Sequence, residues 1–169
     1  MKIDSFEAIA QALAQFQVRY LVAGGLAVNA HGYLRFTKDA DLVVQLAPSN
    51  IENAFAALET LGYRPIVPVS ATQFGDELER NRWMVEKGMQ VLQFWSQQHR
   101  ETPVDVFVTA PFDFDDEWKV AQVGELAPGV TTRFVSIPTL IKMKELANRP
   151  QDLADVQHLR WILEEMGKS

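Results

Sequence analysis

The apolar positions of this chain change period several times, and each change marks an element. Residues 4–17 place Phe6, Ile9, Ala10, Leu13 and Phe16 on one helical face, with Asp4 and Glu7 spaced as a capping box. The apolar run Val18 to Ala23 reads as a buried strand that ends at Gly24-Gly25. Leu26 to His31 is a short helix-like segment stopped by Gly32, and a second apolar run then opens on Asp39-Ala40-Asp41. Ser49 and Glu52 repeat the capping-box spacing ahead of a stripe of Ile51, Phe55, Leu58 and Leu61, and Gly62 is placed to end that helix. Tyr63 to Val69 is extended but carries Pro65 and Pro68, which predicts an edge strand or a loop.

The second half continues the alternation. Residues 70–88 are polar and charged and read as a solvated loop or hairpin, with a basic contribution to a substrate cleft as the alternative. Gln90 to Trp95 alternates as a strand does, and Pro103 to Val108 forms another apolar run. Ala110 to Trp118 is acidic and aromatic; it lacks the glycine and distal glutamate of an EF-hand loop and reads as a loop or helix start. Arg133 to Ile137 is a short final strand. Pro138 then opens a helix to about Asn148, and Pro150 opens a last one with Leu153, Val156, Leu159 or Arg160, Leu163 and Met166 along one face. The predicted class is α+β with α/β character, a mixed sheet flanked by helices and closed by two C-terminal helices.

Composition narrows the setting. A chain of 169 residues is expected to form one domain, residues 1–169, with a sizeable core. Hydrophobic content is 47%, charged content 22%, and no run of 18 apolar residues occurs, which argues against disorder and against a membrane span. The first residues carry neither a basic n-region nor an apolar h-region, and cysteine is absent, so a cytoplasmic protein without disulfides or thiolate metal sites is expected. The formal charge of −6 disfavours an extended nucleic acid as partner, which needs a concentrated basic surface. It leaves room for a single nucleotide.

Three carboxylates carry the candidate chemistry. Asp39 and Asp41 stand at i and i+2 of a strand, on one face and about 6–7 Å apart. Acids held that close repel unless a cation lies between them. Gly24-Gly25 lies where a helix begins, where backbone N–H groups favour an anion and no Cβ obstructs its approach. Asp105 is the one charge in its strand, costly to bury unless paired or metal-bound. Arg35, Thr37 and Lys38 precede the acid pair at the open edge of this site; the two cations can donate to phosphate or simply partner the local aspartates. His31 reads as a helix-end residue, because His99 and His158 make no metal-ligand spacing with it.

These residues resemble the nucleotidyltransferase superfamily with the polymerase-beta-like fold. Its signature of apolar strand, Gly-Gly or Gly-Ser, Asp-x-Asp and a later flanked acid is matched by Val22-Ala23-Gly24-Gly25, Asp39-Ala40-Asp41-Leu42 and Val104-Asp105-Val106. Arg35-Phe36-Thr37-Lys38, Ile137 to Lys144 and Asp152-Leu153-Ala154-Asp155 look most like the antibiotic nucleotidyltransferase and abortive-infection toxin branch. The resemblance implies transfer of a nucleoside monophosphate from an NTP to a hydroxyl on a protein side chain, a tRNA end or a small molecule. Two Mg²⁺ ions would be shared by Asp39, Asp41 and Asp105, with Asp105 on the acceptor side. Gly24-Gly25 would hold the triphosphate, helped by one of Lys142 and Lys144, since residues at i and i+2 diverge on a helix.

One departure is Gly25, where many members carry serine, so a hydroxyl contact from that position is lost and Gly25→Ser is expected to be tolerated. A toxin–antitoxin setting would add a cognate protein partner. The alternative is a catalytically inactive member serving as a partner-binding module. A dinucleotide-binding domain fits poorly, because Gly-x-Gly-x-x-Gly is absent and no acid lies near position 44.

Overall fold

The computed structural model describes residues 1–168. The chain runs α1 (Ile3–Gln15), β1 (Tyr20–Ala23), α2 (Gly24–Ala30), β2 (Ala40–Val44), α3 (Pro48–Thr60), β3 (Arg64–Pro65), α4 (Ala71–Gly75), α5 (Glu77–Lys87) and β4 (Val91–Trp95). It continues through β5 (Val104–Phe107), α6 (Phe114–Val120), β6 (Gln122–Ala127), β7 (Val130–Phe134), α7 (Ile137–Ala147) and α8 (Pro150–Gly167). Among the described residues, seven strands join one sheet in the order β3-β4-β5-β2-β1-β7-β6. The sheet is mixed, as expected: β2 runs parallel to β5 and β1 parallel to β7, while the β1–β2, β3–β4, β4–β5 and β6–β7 pairs are antiparallel.

Both faces of the sheet are covered, which is why β1 is apolar throughout and buried at all four positions. On one face Val44, Phe94 and Val106 meet Ile51, Ala54, Phe55 and Leu58 of α3. On the other, α2 packs against β1 and β2 and reaches α7, which pairs with α8. Among the described residues no helix is long and apolar enough to cross a membrane.

Several expectations are corrected. The first helix starts at Ile3 with Lys2 as N-cap, so Asp4 lies in its first turn and caps nothing. The third helix starts at Pro48, whose preset φ takes the first position, and the Ser49 capping box does not form. Gly62 does end that helix, at φ +79°, with the Tyr63 N–H donating to the Leu58 carbonyl. Residues 70–88 are two helices and not a loop. Ser70 and Gln73 cap α4 reciprocally, and Asp76 caps α5. Their apolar signal misleads because Leu78 and Val85 are exposed while Phe74, Trp83 and the stem of Arg80 go inward. The Arg80 guanidinium donates to the Phe74 carbonyl at 2.6 Å, so it serves the fold and not a cleft.

The final strand is also displaced. It spans 130–134, not 133–137, and pairs with a strand β6 that the pattern did not reveal, since Val123 and Glu125 face solvent on the sheet edge. The last helix is rotated from its expected face. Asp152, Asp155, Val156 and Leu159 are buried, whereas Leu153, Leu163 and Met166 are exposed. Two acids facing inward where leucines were expected require partners, and these partners bear on the site.

Candidate active site

Strand register assembles a polar row on the sheet. Ala23 pairs with Asp41, Asp41 with Asp105, and Asp105 with Gln93, so these four residues stand side by side on β1, β2, β5 and β4. Partners across a ladder share a face. One step along the strands, Val22, Leu42, Val106 and Leu92 form a second row, fully buried against the core. A one-residue slip would exchange the two rows, so burial of the apolar one fixes where the acids emerge. Asp39 lies in a bend just before β2, held where the Ala40 N–H donates to the Pro103 carbonyl at 2.9 Å.

The glycine turn packs against this row. Gly24 has φ +63°, and a Cβ built there would lie 1.9 Å from Asp41 Oδ2, so both its conformation and its contact require glycine. At Gly25 a Cβ would meet Thr37 Oγ1 at 2.4 Å and Thr37 Cβ at 2.7 Å. Thr37 thus occupies the space a side chain at position 25 would need. Gly25→Ser is therefore not harmless, contrary to the expectation from the sequence. That substitution is expected to cost roughly 1–3 kcal/mol of stability through overpacking, and adding Thr37→Gly, which removes both obstructing atoms, should recover part of it. Denaturant titration of the parent, single and double variants checks this; equal midpoints for the single and double variants would show that Thr37 is not the obstacle.

Two solved structures share this architecture. The solution structure of the antibiotic-resistance factor ANT(2'')-Ia superposes with a TM-score of 0.60 at 14% identity, covering 98% of this chain and 84% of that one. The crystal structure of an antigenic nucleotidyltransferase-like protein from Paracoccidioides brasiliensis gives 0.56 at 15% identity, covering 93% and 74%. The fold is that of the nucleotidyltransferases. No protein-family model and no curated protein matches the chain. The nucleotidyltransferase fold is what this likeness establishes.

Within the nucleotidyltransferase fold, the acids of the row titrate abnormally. Burial first, then the neighbouring Asp105 and Asp39 carboxylates, push Asp41 up to about 7, against the opposing charges of Lys144 and Arg149. Burial also raises Asp105; the Gln93 hydrogen bond and the Lys38 charge oppose it, while Asp39 adds to the rise. Asp39 Oδ1 is buried without a hydrogen-bond partner among the described residues. An orphaned carboxylate oxygen beside two crowded acids is a donor set suited to a hard divalent cation. Among the described residues no three such side chains yet stand round a common centre.

The segment before Asp39 is clamped to α8. Tyr33 stacks on His158 with ring centroids 3.7 Å apart, and Arg35 grips Asp155 through Nε and Nη2, both at 2.7 Å. Leu34, Phe36 and Lys38 point outward between these anchors. Asp155, fully buried, also takes Lys144 Nζ at 2.7 Å, and Lys144 leans on Asp152 at 3.4 Å. Arg149 holds Asp152 through Nε at 2.7 Å.

The sequence-predicted cations therefore separate. Arg35 is committed to Asp155, Lys144 is buried within reach of the field at Asp41, and Lys38 lies near Asp105. Lys142 is exposed and forms no ion pair among the described residues. Arg149 and Gln93 escaped the sequence reading. The Asp152 to Asp155 spacing was the available signal for Arg149, since two acids three apart on a helix share a face. Gln93 carried a weaker one, alternation in step with Asp105.

Proposed function

We propose that this protein is a Mg²⁺-dependent nucleotidyltransferase that moves a nucleoside monophosphate from an NTP to a hydroxyl acceptor and releases pyrophosphate. The observation that carries the reading is the row Ala23–Asp41–Asp105 with the glycine turn pressed against Asp41. Asp39, Asp41 and Asp105 would hold two Mg²⁺ ions, which when bound neutralise charge on the attacking and leaving oxygens of an in-line displacement. Backbone N–H groups at Gly24-Gly25 orient the triphosphate, with the Thr37 hydroxyl beside them. Lys144 and Arg149 supply positive charge on the Asp41 side.

The acceptor enters past Asp105, opposite the leaving pyrophosphate. Its oxygen bonds to the α-phosphorus as the α–β bridging bond breaks, and its proton passes to Asp105, which burial makes a better base than an ordinary aspartate. The acceptor class remains that of a protein side chain, a tRNA end or a small molecule, and a toxin–antitoxin setting would add a cognate protein. Incubation with each α-labelled NTP, Mg²⁺ and a cell extract, followed by separation into protein, tRNA and small-molecule fractions, tests the proposal. Label in one fraction, absent with Asp41→Asn, is the expected result. No transfer from any NTP, with no NTP binding, would favour the non-catalytic partner-binding module.

A further inference from the structure

The polar row does not end at Asp105. Gln93 stands opposite it in the β4–β5 ladder, and Gln93 Nε2 donates to Asp105 Oδ1 at 3.0 Å. This is the one hydrogen bond to the Asp105 side chain among the described residues, so Oδ1 is anchored and Oδ2 is left open. The flanking residues of β4, Leu92 and Phe94, are buried on the opposite face, and this pins the strand so that Gln93 projects toward the acid. An amide is suited to this place. It offers a donor without adding a fourth negative charge to a cluster that already repels itself.

We propose that Gln93 is a positioning residue that fixes the rotamer of Asp105, and so aims its free oxygen at the acceptor side of the site. The assignment rests on the transferase reading above. A carboxylate ligand whose second oxygen is tied by a neighbouring side chain loses less freedom when it takes up a cation, and removing such a partner typically costs 10- to 100-fold in metal affinity or activity.

The test is Mn²⁺ binding, followed by the loss of its free electron paramagnetic signal, in the presence of a non-hydrolysable NTP. Wild-type protein is compared with Gln93→Leu and Gln93→Met, which keep the volume and remove the amide. The expected result is two sites in the wild type, with the weaker one loosened roughly 10- to 100-fold in both variants and the tighter one unchanged. kcat should fall by a similar factor while KM for NTP stays the same. A role confined to folding would lower the unfolding midpoint of metal-free protein and leave the second ion's affinity intact, so this pattern in either folded variant overturns the assignment. Unchanged binding and unchanged kcat overturn it as well, without touching the transferase reading. Failure of the wild type to bind any Mn²⁺ with the nucleotide removes the transferase reading and this assignment together.

Discussion

Asp41→Asn is expected to abolish transfer and, in metal-free protein, to raise stability. The two effects have one cause. Asp41 is half-buried beside Asp39 and Asp105, and its desolvation together with their charges pushes its carboxyl from 3.8 to about 7. The folded protein therefore binds the Asp41 proton more tightly than the unfolded chain does. Between pH 4 and 7 the native state carries more protons at this site, so stability falls as pH rises through that window. Above pH 7 the full penalty is present, about 4 kcal/mol; below pH 4 both states are protonated and the penalty vanishes. Asp41→Asn removes it. Urea unfolding of metal-free wild type and variant from pH 4 to 8 should show stabilities that nearly coincide at the acid end, diverge progressively from pH 4 to 7 and run parallel above that, with the variant more stable. A variant less stable than wild type at pH 8 would mean that Asp41 is the anion of a structural ion pair. Undiminished Mg²⁺-dependent turnover in the variant would sink the two-ion mechanism.

Asp155→Ala should act with the opposite sign. Burial alone would raise the Asp155 carboxyl, but Arg35 and Lys144 together hold it below the ordinary range. Its stabilisation is therefore complete above pH 4 and lost as pH falls through the depressed native value. Removing the carboxylate leaves Lys144 buried with Asp152 as its remaining partner and frees Arg35 from α8. Breaking a buried pair in this way costs about 3–5 kcal/mol, because an uncompensated charge stays behind. The segment 33–38 then keeps the Tyr33–His158 stack and the backbone hydrogen bond from the Arg35 N–H to Asn29 Oδ1 but loses its charged anchor to α8, so transfer should fall even where the protein remains folded. Urea unfolding at pH 7 measures the first effect. A loss below about 1 kcal/mol would place this network with exposed ion pairs.

These two acids separate what could be read early from what could not. Asp41 was legible because its neighbours along the chain announce it: an i, i+2 pair opening an apolar run, after a strand cut short by glycines. Asp105 was legible for a related reason, a lone charge within an apolar strand. Asp155 was not, because on a helix its spacing from Asp152 is that of any exposed pair, and only Arg35 and Lys144 make the inward face tolerable. The helices of residues 71–87 were hidden in a similar way, by a buried arginine and exposed valine and leucine that invert the usual pattern.

The sequence by itself determined the mixed sheet, the glycine turn and the three acids, because each depends on local period and on backbone conformations that few residues adopt. Tertiary structure alone decided which cations are spent on the fold, why a side chain at position 25 has no room, and that Gln93 reaches Asp105. Those outcomes hang on strand register and on which face of α8 turns inward, and both are settled by contacts between segments twelve to 120 residues apart, which no local pattern encodes.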